Sequence, residues 1–376
     1  MKRQMTPKKK KIDSTFSGLV LVLLAIGLIS LCSASYVVSY YQFENSWHFI
    51  IRQLIFAIIG VVAMFVAGNI DYKILFKYAE LFYGFAVALL GLVLFMHPIN
   101  GARRWLALGP VTFQPSEVAK LAIIIIFAKY ITINEKRMNT FKFGVTKLIG
   151  FMLVVAGLML LEPHISGTVL IFIIGAIMMF VGGTNLFWFA VGGVFIAFVV
   201  LFVIFTPGIA NYAASRVSYW LDPFADPQGK GYQTIQSLYA IGAGGIFGVG
   251  VGNSKQKQLY LPEAQNDFVF SVVCEEVGLI GAVAIILVFA ALFYRGIRIA
   301  QRTHDKFGFM IVVGIMVQLA TQTLLNIAVV TNTVPNTGIS MPFFSYGGTS
   351  LMMLLAEMGF VLSVSKFGGT ERHYLV

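Results

Sequence analysis

Charged residues are scarce in this chain of 376 residues. Asp, Glu, Lys and Arg together make up 11% of the sequence, whereas about 25% is usual in a soluble globular domain. This scarcity excludes an ordinary water-soluble fold. The hydrophobic share is 58% and the mean hydropathy is +0.84. Because apolar runs of roughly 20 residues recur along the chain, the sequence predicts a protein that crosses a membrane many times.

Cysteine is nearly absent, and the recognisable metal and nucleotide motifs are missing. The two cysteines, Cys32 and Cys274, fall in predicted spans and share no metal-ligand spacing. That placement favours packing residues over a disulfide or a metal centre. The sequence has no CxxC, HExxH or Walker A motif, so no binding motif supports a metal site or a cation-driven pump.

Ten hydrophobic segments predict an all-α polytopic membrane protein with ten transmembrane helices. The predicted spans are residues 16–36, 50–68, 77–96, 115–133, 144–161, 167–184, 187–206, 267–293, 308–330 and 348–366. A basic tail of residues 1–15 precedes the membrane domain of residues 16–366, and a second tail covers residues 367–376. A signal peptide cleaved near Ser33-Ala34-Ser35 is the alternative for the first segment. Its apolar run is long for a signal peptide, which favours an uncleaved span.

The distribution of basic residues predicts the orientation of the chain. With the N-terminus in the cytoplasm, 19 of the 27 Lys and Arg residues lie in cytoplasmic segments and 7 in external ones. The positive-inside rule therefore predicts that both termini are cytoplasmic. The net charge of +11 is explained by these juxtamembrane clusters and does not indicate a nucleic-acid partner.

The outward loops are long and polar, whereas the inward loops are short or simply basic. The longest outward loop covers about residues 207–266, between helices 7 and 8, and two others cover about 97–114 and 331–347. All three are rich in Gly, Pro, Asn and aromatic residues. Long loops of this kind are often functional, so we expect the chemistry of the protein to face outward.

The first outward loop and the following span carry several charged residues. Glu117 and Lys120 are three apart, so on a helix they share one face and can form an ion pair. Such a pair is either structural or part of a polar cavity. Arg103 and Arg104 could bind phosphate or lipid headgroups, and Trp105 could be an interfacial residue or a surface on which a sugar stacks.

A second acidic stretch, Leu261–Phe270, lies where the longest loop meets the eighth span. It places Glu263 and Asp267 beside apolar sequence, where a carboxylate is costly and suggests function. The glycine-rich residues 236–254 before it are too short to span securely, which favours a partly inserted or re-entrant segment. Arg216 lies earlier in the same loop.

Two further loops contain polar residues of less certain purpose. Residues 332–350 are rich in hydroxyl groups and include Ser345. They could bind a polar headgroup, or they could cap the start of the tenth helix. His164, between spans five and six, could titrate near neutral pH, although a single loop histidine is more often structural.

These motifs together resemble the FtsW/RodA family, also called the shape, elongation, division and sporulation (SEDS) proteins. The resemblance covers essentially the whole chain after the basic tail. The matching stretches are Gly101–Lys120, Arg216–Gln236, Gly242–Asp267 with Glu275-Glu276, and Pro335–Ser350. The form Tyr-Leu-Pro-Glu-Ala-Gln-Asn-Asp favours the division/sporulation, FtsW-like branch. One departure is His164, at a position where an acidic residue is expected in many relatives.

The resemblance implies a peptidoglycan glycosyltransferase that polymerises lipid II at the outer face of the bacterial cytoplasmic membrane. Lipid II carries an α-linked diphosphate and the product link is β-1,4, so the reaction inverts and the attacking hydroxyl needs a base. The family motif makes Asp267 the candidate base. Cationic stabilisation of the diphosphate is expected from Lys120 and Arg216, then from Arg103 and Arg104. The other expected substrate-binding residues are Glu117, Trp105 and Ser345.

The resemblance also implies partners: a class B penicillin-binding protein, which is a single-span transpeptidase, and other divisome or elongasome membrane proteins. No cofactor is indicated with certainty, although a divalent cation such as Mg or Mn could assist the diphosphate. Two other functions stay open. A lipid II flippase would need a cavity that opens on both sides, and a non-catalytic cell-wall scaffold would need only surfaces. The outward concentration of polar residues favours the transferase.

Overall fold

The protein is a bundle of helices. The computed structural model describes residues 11–97, 103–109, 111–162, 164–194, 219–229 and 231–369. The helices are α1 (Ser14–Phe43), α2 (His48–Asn69), α3 (Lys73–Val93), α4 (Pro115–Ile133), α5 (Lys147–Leu161), α6 (Ile165–Gly182), α7 (Tyr232–Gly244), α8 (Val269–Gln301), α9 (Lys306–Val330) and α10 (Gly348–Phe367). Residues 186–194 are also helical.

A small β-hairpin departs from the all-α prediction. Strands β1 (Leu106–Leu108) and β2 (Val111–Phe113) pair antiparallel, with Leu106 opposite Phe113. Strands of three residues are too short to show an alternating hydrophobic pattern, so the sequence did not predict them. The hairpin leads directly into α4 and helps to set where that helix begins.

Eight described helical segments are long and apolar enough to cross a membrane: α1, α2, α3, α5 together with the π-helical residues Lys142–Thr146 before it, α6, α8, α9 and α10. Helix α4 has 19 residues and coincides with a predicted span, but it carries Glu117, Lys120 and Lys129. The seventh predicted span, residues 187–206, is helical as far as residue 194, and its remainder lies outside the described residues. The count of ten transmembrane helices therefore stays a prediction.

Two helices extend well beyond their predicted spans. Helix α1 continues to Phe43 and ends at Glu44, which has a φ of 54° and donates its backbone N–H to the carbonyl oxygen of Tyr40. Helix α8 continues from the predicted end at residue 293 to Gln301. Hydropathy marks the apolar part of a helix, whereas local backbone bonds decide where the helix ends.

Helix α4 lies in the interior of the bundle. Residues 118–128 are buried without exception, and α3, α5, α6 and α9 pack around them. A helix that is apolar on all sides is expected to be buried on all sides. Lys120 therefore lies inside the protein rather than against lipid.

Helices α2 and α10 pack closely because glycines line their contact. A Cβ on Gly359 would lie 2.5 Å from the carbonyl oxygen of Met64, and small residues allow this kind of approach between membrane helices. The contact brings the start of α10 beside Gln53. The Gln53 side chain donates to the carbonyl oxygen of Ser345 (3.2 Å) and accepts from the N–H of Gly347 (3.1 Å).

Helix α1 begins and α10 ends at the same end of the bundle, which we call the terminal end. The N–H of Asp13 donates to the hydroxyl of Ser365 (3.2 Å), and its carboxylate accepts from Arg295 of α8 at 2.8 to 3.1 Å. Helix α1 also contributes buried side chains to the core, which favours a retained first span. The assignment of this end to the cytoplasm stays a prediction.

The predicted outer loop of residues 207–266 has internal structure in its described part. Helix α7 packs against α8 and is followed by turns with positive φ at Gly245, Gly248, Gly250 and Gly252. The partial insertion of this glycine-rich segment into the membrane stays a prediction. Residues 207–218 and Lys230 lie outside the described residues.

Candidate active site

A cavity of about 430 Å³ lies at the opposite end of the bundle from the termini, which we call the cavity end. It is lined by the hairpin, the start of α4, the turn before α6, the residues before α8 and the residues before α10. Helix α2 contributes Arg52 and Phe56, and α9 contributes Gln318 and Gln322. The polar side chains that line it include Arg104, Trp105, Glu117, Lys120, His164 and Asp267. The structure thus places six of the eight site residues predicted from sequence in one cavity, Ser345 among them.

The predicted ion pair between Glu117 and Lys120 is present. Pro115 opens α4, which suits a residue without an N–H, and the next turn places both charged side chains on one face. The Lys120 Nζ lies 2.9 Å from the Glu117 Oε2, with 4% of the lysine and 17% of the glutamate side chain exposed. A cation buried in this way needs a partner, and here the partner also reaches the cavity.

Asp267 lies two residues before α8, half-buried in the cavity wall. Asn326 of α9 donates to the Asp267 backbone oxygen (2.7 Å) and to that of Ile339 (2.8 Å), so one buried amide holds both segments. Burial raises the pKa of Asp267 to about 6, with a further contribution from the charge of Glu263. The carboxyl is therefore poised to exchange a proton near neutral pH.

Gly338 faces the Asp267 carboxyl from the segment before α10. It has a φ of 68°, a conformation that favours glycine, and a Cβ added there would lie 3.2 Å from Asp267 Oδ2. The missing side chain leaves space beside the carboxyl. No local pattern in the sequence marks this glycine, since its contact joins segments about 70 residues apart.

Ser345 bonds to the protein itself. Its hydroxyl donates to the backbone oxygen of Asn266 and accepts from the N–H of Met341, both at 2.7 Å. The backbone N–H of Tyr346 donates to the backbone oxygen of Gln265 at 2.8 Å. These bonds join the segment before α10 to the segment before α8. The prediction that Ser345 binds substrate stays a prediction, but its hydroxyl already has two structural partners.

The arginines of the first outward loop have different surroundings. Arg104 lines the cavity and donates from Nε to the backbone oxygen of Glu162 (3.2 Å). Arg103 is exposed and donates to the backbone oxygen of Leu94 (3.1 Å), and it is not among the residues that line the cavity. Arg216 lies outside the described residues, so its role stays a prediction.

The turn before α6 holds two titratable groups that sequence reasoning left without a role. Glu162 is fully buried, and neither carboxyl oxygen has a hydrogen-bond partner among the described residues. Burial raises the pKa of Glu162 to about 8, although nearby Arg104 acts in the opposite direction. Burial, together with Arg104 and Lys120, lowers the pKa of His164 to about 3. Both groups are therefore neutral near pH 7.

Within the described residues, no group of three or more His, Cys, Asp or Glu side chains could hold a metal ion. The carboxylates that line the cavity are those of Asp267 and Glu117, and Glu117 is paired with Lys120. These residues do not form a metal site of their own. A role for Mg or Mn stays a prediction from the family resemblance.

The chain matches the FtsW/RodA/SpoVE family of cell cycle proteins over residues 14–369. Stage V sporulation protein E of Bacillus subtilis is 40% identical over 370 residues, which cover 96% of this chain and 99% of that protein. A Trichlorobacter lovleyi protein named "Probable peptidoglycan glycosyltransferase FtsW" is 38% identical over 355 residues, which cover 92% of this chain and 91% of that protein.

Solved structures share the fold. A chain of a peptidoglycan synthase complex superposes with a TM-score of 0.80 at 29% identity, covering 96% of this chain and 99% of that chain. Rod shape determining protein RodA of Thermus thermophilus superposes with a TM-score of 0.70 at 27% identity, covering 96% and 98%. Fold and site together define a helical, multi-pass membrane protein with a polar cavity at one end. The chain belongs to the FtsW/RodA/SpoVE family.

Proposed function

We propose that this protein is a peptidoglycan glycosyltransferase that polymerises lipid II into glycan strands at the outer face of the bacterial cytoplasmic membrane. One observation carries the proposal: a single cavity holds the half-buried carboxyl of Asp267 together with the cations Lys120 and Arg104. A base for the attacking hydroxyl and cations for the leaving diphosphate are what this reaction requires. Relatives at 36% to 38% identity are named as probable enzymes of this kind.

The proposed reaction is a single in-line displacement. The 4-hydroxyl of one sugar attacks the anomeric carbon of another, and Asp267 accepts the hydroxyl proton. The bond from the anomeric carbon to the diphosphate oxygen breaks as the new glycosidic bond forms, and the diphosphate leaves with the bonding electron pair. One displacement converts an α link into a β link, so no covalent enzyme intermediate is needed.

The ionisation of Asp267 suits this role. Because burial and Glu263 raise its pKa to about 6, the carboxyl is mostly ionised at pH 7 and is a stronger base than an ordinary aspartate. A base with a pKa close to the working pH combines the correct protonation state with a useful driving force for proton transfer. The environment of Asp267 therefore supports its assignment as the general base.

Lys120 and Arg104 are proposed to stabilise the diphosphate in different ways, and Arg52 of α2 is a third cation that lines the cavity. Lys120 is paired with Glu117 at 2.9 Å, so an arriving diphosphate competes with that carboxylate for the ammonium group. Arg104 presents a planar guanidinium that can donate two parallel hydrogen bonds to phosphate oxygens. Trp105 lies on the same wall and offers an aromatic face for a sugar ring.

We also propose a class B penicillin-binding protein as the partner, along with other divisome or elongasome membrane proteins. The peptidoglycan synthase complex that contains a similar chain is one of polymerisation and crosslinking, which supports a transpeptidase partner here. The 40% identity to Stage V sporulation protein E and the FtsW names of other relatives favour the division/sporulation branch.

The test is a polymerisation assay with purified protein, lipid II and the Asp267→Asn variant. Asparagine is nearly isosteric and cannot accept the proton, so we expect a loss of about 10²–10⁴-fold in rate in a protein that still inserts and binds lipid II. Glu263→Gln, which removes a nearby carboxylate, is the matched control and should retain most of the activity. Asp267→Asn protein that polymerises at the parent rate would contradict the proposal.

The same preparation separates the two alternative functions. If the parent moves lipid II across vesicle membranes and never joins two sugars, the protein is a flippase. If it does neither but still assembles with its transpeptidase partner, it is a scaffold. If the parent protein forms polymer, neither flippase activity nor a scaffold role is a complete description of its function.

A further inference from the structure

Helix α8 is interrupted, and another segment of the chain fills the interruption. Gly278 has a φ of 66° and a ψ of −171° inside an otherwise helical run. An interrupted membrane helix leaves backbone groups without helical partners, and these must be bonded elsewhere in the protein. Here the glycine-rich residues 245–250, which follow α7, supply those bonds.

Four backbone hydrogen bonds join this segment to the interruption. They run from Val249 N to Glu275 O (3.0 Å), from Gly250 N to Glu276 O (3.0 Å), from Leu279 N to Gly245 O (2.9 Å) and from Ile280 N to Ile246 O (3.2 Å). A Cβ on Gly248 would collide with the backbone of Glu276 and Gly278. The close approach therefore depends on glycine, and it ties residues 245–250 to the first third of α8.

A buried ion pair lies directly beside this crossing. The Lys257 Nζ lies 2.8 Å from the Glu276 Oε1, and both side chains are about 5% exposed or less. The hydroxyl of Ser33 on α1 donates to the same Glu276 oxygen and accepts from Lys257 at 2.7 Å. Helix α1, helix α8 and the turns between α7 and α8 thus meet at Lys257.

The neighbouring carboxylate, Glu275, holds the start of the same turn. It accepts from the backbone N–H of Lys255 (2.9 Å) and of Gln256 (3.3 Å), and from the hydroxyl of Ser254. Glu275 is 1% exposed. These three accepted hydrogen bonds all come from residues 254–256, so this buried carboxylate holds the turn in place.

The two carboxylates close residues 254–276 into a loop, and Asp267 lies near the middle of it. One end of the loop is tied at Ser254 and Lys257, and the other end is tied at Glu275 and Glu276. The bonds from Asn326 and Ser345 hold the middle of the loop from outside. The position of Asp267 in the cavity therefore depends on both sets of ties.

We propose that Glu275, Glu276 and Lys257 are positioning residues that hold the Asp267 carboxyl in place within the cavity. The proposal rests on the proposed role of Asp267 as the base. A buried ion pair is often no more stabilising than apolar residues of the same size, so stability alone is a weak reason for this one. Fixing a loop that carries a reacting group is a more specific use, because small displacements of such a group are costly to the rate.

The test uses the double variant Lys257→Met with Glu276→Gln, which removes both charges and leaves no unpaired ion. We expect kcat for lipid II polymerisation to fall about 10²-fold, as a displacement of about 1 Å would cause, with KM changed by less than about threefold. A loop that moves toward water should also lower the pKa of Asp267 from about 6 toward its ordinary value. The acidic limb of the rate profile would then shift to lower pH, which a purely structural defect would not cause.

Three further variants act as controls. Lys257→Arg keeps the ion pair and should retain most of the parent kcat. Ser254→Ala removes one hydrogen bond to Glu275. It should lower kcat less than the double variant does, with the acidic limb shifted in the same direction. Asp13→Asn breaks a less buried ion pair at the terminal end, where 11% of the Asp13 and 28% of the Arg295 side chain is exposed. It should lower thermal stability and leave the acidic limb unmoved.

The outcomes separate this proposal from the proposed function. A double variant with the parent kcat and the parent acidic limb would overturn the positioning role. If the double variant fails to insert, Ser254→Ala decides the question. The positioning role is overturned if that variant has a lower thermal stability but an unchanged rate and an unchanged acidic limb of the rate profile. Asp267→Asn is measured in the same assay. If that variant keeps the parent rate, the base itself is wrongly assigned, whatever the other variants show.

Discussion

The two ends of the helix bundle differ in how their buried polar groups are bonded. At the terminal end, Asp13 is bonded to Arg295 and Ser365, and Tyr72 donates to Asp305. At the cavity end, several buried atoms have no hydrogen-bond partner among the described residues: Ser116 Oγ, both Glu162 carboxyl oxygens, His164 Nδ1, Asn266 Oδ1 and Gln318 Oε1. Most of these residues line the cavity.

The comparison distinguishes polar groups that hold the fold from polar groups that are available to a substrate. Buried polar atoms in native proteins are nearly always bonded, so a group of exceptions needs an explanation. At the terminal end, the side chains of Asp13, Arg295 and Tyr72 are bonded between helices, and the hydroxyl of Tyr130 is a buried group there without a partner among the described residues. At the cavity end, water or a polar substrate must supply the missing partners, which agrees with a headgroup site there.

After that of Asp267→Asn, the largest expected effect is at Lys120. If Lys120 stabilises the diphosphate, Lys120→Met should lower kcat by about 10²–10³-fold, as the loss of one charge-stabilising donor does. The double variant with Glu117→Gln should recover protein yield, because no unpaired carboxylate remains buried, but it should not recover the rate. Polymer yield and detergent-extracted protein are measured together. Recovery of the rate in the double variant would mean that the pair is structural, like those at the terminal end.

The pH dependence of the rate should follow Asp267. A general base works when ionised, so activity is present above its pKa and is lost as the pH falls through about 6, roughly tenfold for each further unit. The terminal end should stay intact over this range. There, burial acts to raise the pKa of Asp13, but Arg295 and the Phe16 N–H outweigh it and hold the pKa below its usual value. Rates and melting temperatures between pH 5 and 8 check this, and a melting transition that follows the rate would contradict it.

A smaller effect is expected for Gly338→Ala. The alanine is strained at a φ of 68°, and its Cβ approaches Asp267 Oδ2 to 3.2 Å, so we expect about a tenfold loss of rate from displacement of the carboxyl. Gly183→Ala is the matched control, since Gly183 has a φ of 96° with no atom within 4 Å of the added Cβ. Both variants pay a similar conformational cost. Equal rates in the two would show that the contact with Asp267 does not matter.

The smallest expected effect is that of Glu162→Gln. Burial raises the pKa of Glu162 to about 8, so the folded protein binds a proton there that the unfolded chain loses above about 4.5. Its contribution to stability therefore falls as the pH rises from about 4.5 to 8. The glutamine variant should melt a few degrees higher than the parent near pH 8 and equally at pH 4. A lower melting temperature at pH 8 would show that the carboxylate is bonded when ionised.

Part of the site was predictable because it is local in sequence. The spacing of Glu117 and Lys120 predicts that they meet on one helix, and they do. Likewise, an acidic residue at the start of an apolar span indicated Asp267. The differing surroundings of Arg103 and Arg104 were not predictable. The fold decides where the side chain of each loop residue points, and of these two arginines only Arg104 lines the cavity.

The sequence by itself determined the class of protein, the positions of most helices and the expected orientation, because hydropathy and charge act over each segment separately. The tertiary structure alone decided that Asp267, Lys120 and Arg104 line one cavity, that Ser345 is bonded to the backbone and that Gly338 leaves space beside the base. It also decided that Lys257 is paired with Glu276 inside the bundle. These arrangements depend on contacts between residues far apart in the chain, and no local pattern records such contacts.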